Sequence, residues 1–172
     1  MSDDFRPLIL TALLDAPAQA RFEALRRAHY PAVLNQVPAH VSLFHHLPGS
    51  ELAAVKRRLQ AVCGPLPPPQ VDVIGLKALG RGVAFKLRSP ELDSVRAELA
   101  DGWQTLLIPQ DRAGFQGHVT IQNKVTSAQA KTTLQALEAG FAAFSTRAVG
   151  IAIWRYLDGP WHPLGQVAFR GR

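Results

Sequence analysis

His40-Val41-Ser42-Leu43 and His118-Val119-Thr120-Ile121 are one pattern written twice, 78 residues apart: imidazole, valine, hydroxyl, aliphatic. Each lies in an apolar, β-branched run (VSLF, VTI) of the composition that strands favour. Alternate side chains of a strand share a face. That rule groups His40, Ser42, Phe44 and His46 on one face, and His118, Thr120, Gln122 and Lys124 on the corresponding one. Turn-rich sequence precedes both motifs, Gln36-Val37-Pro38-Ala39 and Gly114-Phe115-Gln116-Gly117. One copy would carry little information; two copies in matched surroundings predict a site.

The surroundings repeat as well. Arg6–Asp15 is apolar enough for a buried strand. Pro17 then opens a helix with Phe22, Leu25 and Ala28 inward and Arg21, Arg26 and Arg27 outward. After the His40 strand, Ser50 reads as the cap of a helix over Glu51–Val62 with Leu52, Val55 and Leu59 at helical spacing. Gly64-Pro65-Leu66-Pro67-Pro68-Pro69 stops it. Strands at Val71–Ile74 and Val83–Leu87 flank the turn Gly80-Arg81-Gly82.

The second half has the same order. A helix runs from Pro90 to about Gly102 on Leu92, Val95 and Leu99, and the His118 strand follows. A helix over Ser127–Phe141 carries Ala130, Leu134, Leu137 and Phe141, and two strands span roughly Thr146–Tyr156 and Pro163–Arg170. Val83-Ala84-Phe85-Lys86 and Val167-Ala168-Phe169-Arg170 hold matching places in the two units. The chain is therefore expected to be one domain over 1–172, built of two pseudo-symmetric lobes with repeat units at about 17–88 and 90–170. Trp103–Gly117 has no counterpart; it is expected to be a loop over the site, with a short strand at Thr105–Ile108.

With 172 residues, 47% of them hydrophobic, the chain can bury a real core. No apolar run approaches the ~20 residues of a membrane-spanning helix. The start Met-Ser-Asp-Asp-Phe-Arg-Pro is acidic where a secretory signal is basic. Cys63 is the one cysteine, so no internal disulfide forms, and a cytoplasmic location is expected. A net charge of +6 favours phosphate-bearing partners.

Two imidazoles on one cleft divide proton transfer: a neutral ring takes a proton from the attacking oxygen and a protonated ring gives one to the leaving oxygen. Ser42 and Thr120, two residues on, are placed to donate hydrogen bonds to a phosphate oxygen. Lys124 and a protonated His46 add charge at equivalent positions, and Phe44 and Tyr156 are the candidates for stacking a base. Trp154 and Trp161 read as core or rim. His45 falls on the opposite strand face with no carboxylate near in sequence, so three convergent metal ligands are not in sight; no metal and no cofactor are expected.

Paired His-x-(Ser/Thr)-x motifs, each followed by a helix and two strands, resemble the two-histidine phosphoesterase superfamily, which includes 2′-5′ RNA ligase-like proteins and RNA 2′,3′-cyclic phosphodiesterases. The resemblance covers nearly the whole chain. It implies an α+β, duplicated, bilobal fold: two antiparallel sheets facing across a central cleft, helices outside. It implies catalytic roles for His40 and His118 and phosphate-binding roles for Ser42 and Thr120. The implied chemistry is metal-independent opening of 2′,3′-cyclic phosphates of RNA ends or small nucleotides by a monomer, reversible in principle as 2′-5′ ligation. Alternatives are a cyclic phosphodiesterase for a small metabolite of the ADP-ribose cyclic phosphate type, and a non-catalytic RNA- or nucleotide-binding module. The departure from the family pattern is Gln122-Asn123-Lys124, where many members show an arginine soon after the second hydroxyl.

Overall fold

The computed structural model describes residues 4–172; Met1, Ser2 and Asp3 of the acidic start lie outside the described residues. The elements are β1 (Leu8–Leu14), α1 (Ala16–His29), β2 (Val41–Leu47), α2 (Leu52–Cys63), β3 (Gln70–Ala78), β4 (Val83–Arg88), α3 (Pro90–Gly102), α4 (Pro109–Arg112), β5 (His118–Gln122), α5 (Ser127–Ala139), β6 (Phe144–Tyr156) and β7 (Trp161–Ala168). The order is that expected from sequence, apart from α4. Thr105–Ile108 forms no strand: Trp103–Gly117 is a turn leading into α4, anchored by buried Trp103, Leu107 and Asp111.

Local chemistry sets the ends. Asp15 accepts from the Ala18 amide at the start of α1, Ser89 from the Leu92 amide at the start of α3, and Thr126 forms a reciprocal capping box with Gln129 at the start of α5. Ser50 does not cap α2. It lies exposed in a one-turn 3-10 segment, Gly49–Glu51, that precedes the helix and packs so closely that a Cβ on Gly49 would strike the Phe5–Arg6 backbone.

All strand pairings are antiparallel. The order is β2-β1-β6-β3-β4-β5, with β7 also on β6. The two expected sheets are halves of one curled sheet. They are continuous because the 13-residue β6 pairs with β3 through Phe144–Arg147 and with β1 through Ala148–Arg155. The two histidine strands lie at opposite edges of this order, and the curl brings them to one cleft.

Helices cover one face. Leu8, Leu10, Leu43 and Leu47 meet Val55 and Leu59 of α2 and Leu92, Val95 and Leu99 of α3 in one core cluster. Phe22 of α1 packs edge-on against Phe85 at 5.3 Å. Each such fully buried side chain contributes roughly 1.5–3 kcal/mol. Ala28, expected inward, is exposed, and Arg26, expected outward, is buried at 3%. Among the described residues no helix is long and apolar enough to cross a membrane.

Candidate active site

His40, the residue before β2, and His118, the first of β5, line one cleft of about 250 Å³ together with Ser42, Thr120, Ile9, His45 and Trp161. The two imidazoles are anchored alike. His40 Nδ1 lies 2.7 Å from the Pro38 carbonyl and His118 Nδ1 lies 3.0 Å from the Gln116 carbonyl, two residues back in each case. A carbonyl only accepts, so the proton of the neutral ring sits on Nδ1 and Nε2 is left for a reacting group. Burial pushes the His40 imidazole down to about 4; the Pro38 carbonyl opposes this, while the Arg26 guanidinium, His118 and His45 reinforce it. At neutral pH His40 is thus an acceptor.

The motif strands depart from regular alternation at the same place. Thr11 faces Ser42 and Leu10 faces Phe44, which leaves Leu43 as an extra residue; Ala84 faces Thr120 and Val83 faces Gln122, which leaves Ile121 as another. Each extra residue follows the motif hydroxyl directly. Such a bulge shifts the alternation by one, and the side chains beyond the hydroxyls depart from their expected places. Phe44 turns into the core at 0% exposure, edge-on to Trp103 at 5.1 Å, and cannot stack a base. Gln122 turns inward at 4% and donates to Thr133 Oγ1 at 2.8 Å. His45, expected on the far face, lines the cleft instead of His46. Lys124 lies past the end of β5, exposed, at φ 61°, outside the cleft lining. Tyr156 sits opposite Trp161 at the rim, 37% exposed, and it is Trp161 that reaches the site, its ring centroid 4.7 Å from that of His40.

Two buried arginines hold the motif strands from behind, each from the helix preceding the other motif. Arg26 of α1 donates from Nη1 to the Thr120 carbonyl at 2.8 Å and from Nε to Asn35 Oδ1 at 3.1 Å, stacked over Tyr30 at 4.2 Å. Arg96 of α3 donates from Nε to the Leu43 carbonyl at 2.8 Å and from Nη2 to the Asp111 carbonyl at 2.7 Å, stacked over Phe44 at 4.0 Å. β2 and β5 are edge strands, and the guanidinium forks satisfy carbonyls that no neighbouring strand reaches. Sequence missed both arginines. The signal was present: each lies four residues after an apolar anchor, Phe22 or Leu92, inside the helix's own buried stripe.

Asp111, 1% exposed, was also missed. It accepts from the His45 and His46 amides at 3.0 and 3.1 Å and faces His45 Nδ1 at 2.9 Å. Burial alone would raise this carboxyl; the His45 ring, the two amides and the His45 charge outweigh it and hold the group below the ordinary carboxylate value. Trp103–Gly117 therefore braces the end of β2, and the His45 ring is aimed by a carboxylate. No three or more His, Cys, Asp or Glu side chains among the described residues are grouped to hold a metal ion.

A family model described as 2'-5' RNA ligase superfamily matches residues 14–160. No curated protein matches the chain. Among solved structures, TT0787 of Thermus thermophilus is similar at TM-score 0.70 and 17% identity, over 96% of this chain and 99% of that one. E. coli LigT complexed with 3'-AMP is similar at TM-score 0.59 and 17% identity, over 96% and 99%. E. coli LigT complexed with NADP+ is similar at 0.59 and 16%, over 97% and 99%. With the family match spanning both histidine motifs and the fold shared end to end, the chain belongs to the 2'-5' RNA ligase superfamily, the two-histidine phosphoesterases.

Proposed function

We propose that the protein is a metal-independent cyclic phosphodiesterase that opens 2′,3′-cyclic phosphates of RNA ends or small nucleotides. The observation that carries this is the matched pair of imidazoles, each tied through Nδ1 to the carbonyl two residues back and each sharing the cleft with a hydroxyl, Ser42 or Thr120. His40, held neutral by burial, takes the proton of an incoming water through Nε2. The water oxygen bonds to phosphorus as one ring P–O bond breaks. Protonated His118 gives its proton to the departing ribose oxygen, which becomes a hydroxyl. The product is a phosphomonoester; His40 leaves protonated and His118 neutral, and solvent exchange restores both. The Ser42 and Thr120 hydroxyls donate to the non-bridging oxygens as charge builds there. The same steps in reverse, with a 5′-hydroxyl in place of water, would make a 2′-5′ linkage.

The cleft favours a nucleotide over a bare phosphoester because Trp161 supplies an aromatic face beside His40, and Trp154 extends it at 6.1 Å. The test is turnover of 2′,3′-cyclic nucleotides in chelator across a pH series. The expected kcat/KM profile is a bell with a broad acid side, because the His40 limb lies near 4 in the free enzyme. A rate abolished by chelator would refute the metal-free route; no turnover at any pH would leave a binding module in its place.

A further inference from the structure

The cleft continues past His118 onto the open face of β3 and β4. Register sets Lys86 opposite His118 and Ala84 opposite Thr120; on the next strand Gly75 stands opposite Lys86 and Lys77 opposite Ala84. Directly opposed residues project to the same face, so Lys77 and Lys86 stand with the catalytic imidazole and hydroxyl. The residues between them are small, and a Cβ added to Gly75 would meet nothing within 4 Å. Ile74, Lys77, Lys86, Phe115 and His118 border a depression of about 540 Å³ that shares His118 with the catalytic cleft. Neither lysine is in a salt bridge among the described residues. Arg88, on the same border, stands opposite Asp72 in the register, whose carboxyl is lowered first by Ser145 and Gln70, with the Arg88 cation adding to this. The acid on the same border is Asp93, whose carboxyl is raised by desolvation.

The cleft therefore has unlike ends. Trp161 and Trp154 flank His40, and two free ammonium groups flank His118. Small residues between paired lysines, next to a phosphate-handling histidine, suit a second anion held at a fixed distance from the first.

We propose that Lys77 and Lys86 form a second-phosphate subsite that binds the phosphate on the 5′ side of the nucleoside carrying the reacting cyclic phosphate. The preferred substrate class is then a cyclic phosphate with a 5′-linked phosphate on the same nucleoside, rather than a nucleoside cyclic monophosphate. This rests on the phosphoesterase role of His40 and His118. A free 5′-monoester and an internucleotide diester offer the same chemistry to the two ammonium groups.

The experiment compares kcat/KM for adenosine 2′,3′-cyclic phosphate, its 5′-phosphorylated form, and the diadenylate ending in a cyclic phosphate. Each is measured on the wild type and on the double variant Lys77→Met, Lys86→Met, which keeps the aliphatic stems. The wild type should prefer the two-phosphate substrates by about tenfold or more, the scale of one charge-assisted contact. The variant should lose most of that preference, and the preference should shrink as salt rises. A larger gain for the 5′-monoester marks a free nucleotide as the source; a gain at least as large for the diadenylate marks an RNA end. A wild-type ratio near one, or a ratio unchanged in the variant, overturns the subsite. Calorimetry with adenosine 3′,5′-bisphosphate against 3′-AMP reads the same site without turnover. A lysine-dependent preference for the bisphosphate in an enzyme that opens no cyclic phosphate would sink the phosphoesterase role and keep the subsite. Turnover with no such preference would do the reverse.

Discussion

Replacing Arg26 with methionine keeps most of the side-chain volume and removes the fork that joins α1 to the second motif. The Thr120 carbonyl, bonded at 2.8 Å, and Asn35 Oδ1, at 3.1 Å, lose their donor, and the stack on Tyr30 at 4.2 Å loses its charge. A buried acceptor left unpaired costs about 1–3 kcal/mol, and the cation–π contact adds about 0.5–1 kcal/mol. Relief of the buried charge, visible as the lowering of the Arg26 pKa by desolvation, offsets part of this. The net loss should be about 2 kcal/mol, or about 4–8 °C in Tm for a chain of this length. A second effect separates the charge from the bonds. The Arg26 cation helps to lower His40, so its removal should let the His40 value rise and move the acid limb of kcat/KM to higher pH. Arg26→Lys keeps the cation without the fork; it should lose stability yet leave that limb in place. Urea unfolding followed by tryptophan fluorescence gives the first quantity and a pH–rate series the second. Arg26→Met within about 0.5 kcal/mol of wild type, with an unmoved acid limb, would refute the bracing role.

Three further outcomes follow from the same geometry. Asp111→Asn should cost about 2–4 kcal/mol, since an amide cannot accept from the His45 and His46 amides and the His45 ring together; unchanged stability by denaturant titration would count against the clamp. His40 sits at about 4 in the folded state, below the ordinary 6.5. As pH falls the unfolded chain takes this proton first, so the wild type should lose stability between roughly pH 6.5 and 4. His40→Asn should lose less over the same window, by at most about 3 kcal/mol; parallel stability curves would show that burial does not hold the ring neutral. Cys63 is fully buried and its thiol is pushed up to about 12 by burial. It should react with thiol reagents only at the rate of unfolding, and fast modification of the native protein would contradict that burial.

Periodicity made most of the fold legible. The stripes Leu92, Val95, Leu99 and Val55, Leu59 are buried as their spacing requires. So are Phe85 and Phe169 of the shared text. The site was legible as far as the hydroxyls and no further. Just beyond Ser42 and Thr120 an extra residue, Leu43 or Ile121, breaks the alternation, a second register shift follows in β2 between its pairings with Leu10 and Leu8, and neither leucine nor isoleucine announces a bulge. Phe44 and His46 were lost from the cleft and His45 was gained through these shifts, whereas Lys124 was lost because β5 ends at Gln122. Charge misled in a second way. Arg26 and Arg96 occupy buried stripe positions that the helical spacing displays, but the edge-strand carbonyls that need donors there are set by tertiary structure. The continuity of the sheet through β6 was equally hidden, since a strand that serves two partners in succession reads locally like any other.

The central claim is that His40 and His118 act as one proton-transfer pair on a cyclic phosphate. Its most direct test is kcat for a 2′,3′-cyclic nucleotide, in chelator, by the wild type, His40→Ala, His118→Ala and the double variant. Each single substitution should lower kcat by about 10²–10⁴-fold, and the double should fall far short of the product of the two losses because the pair works as a unit. More than a tenth of wild-type turnover in either single variant, or fully multiplicative losses in the double, would contradict it.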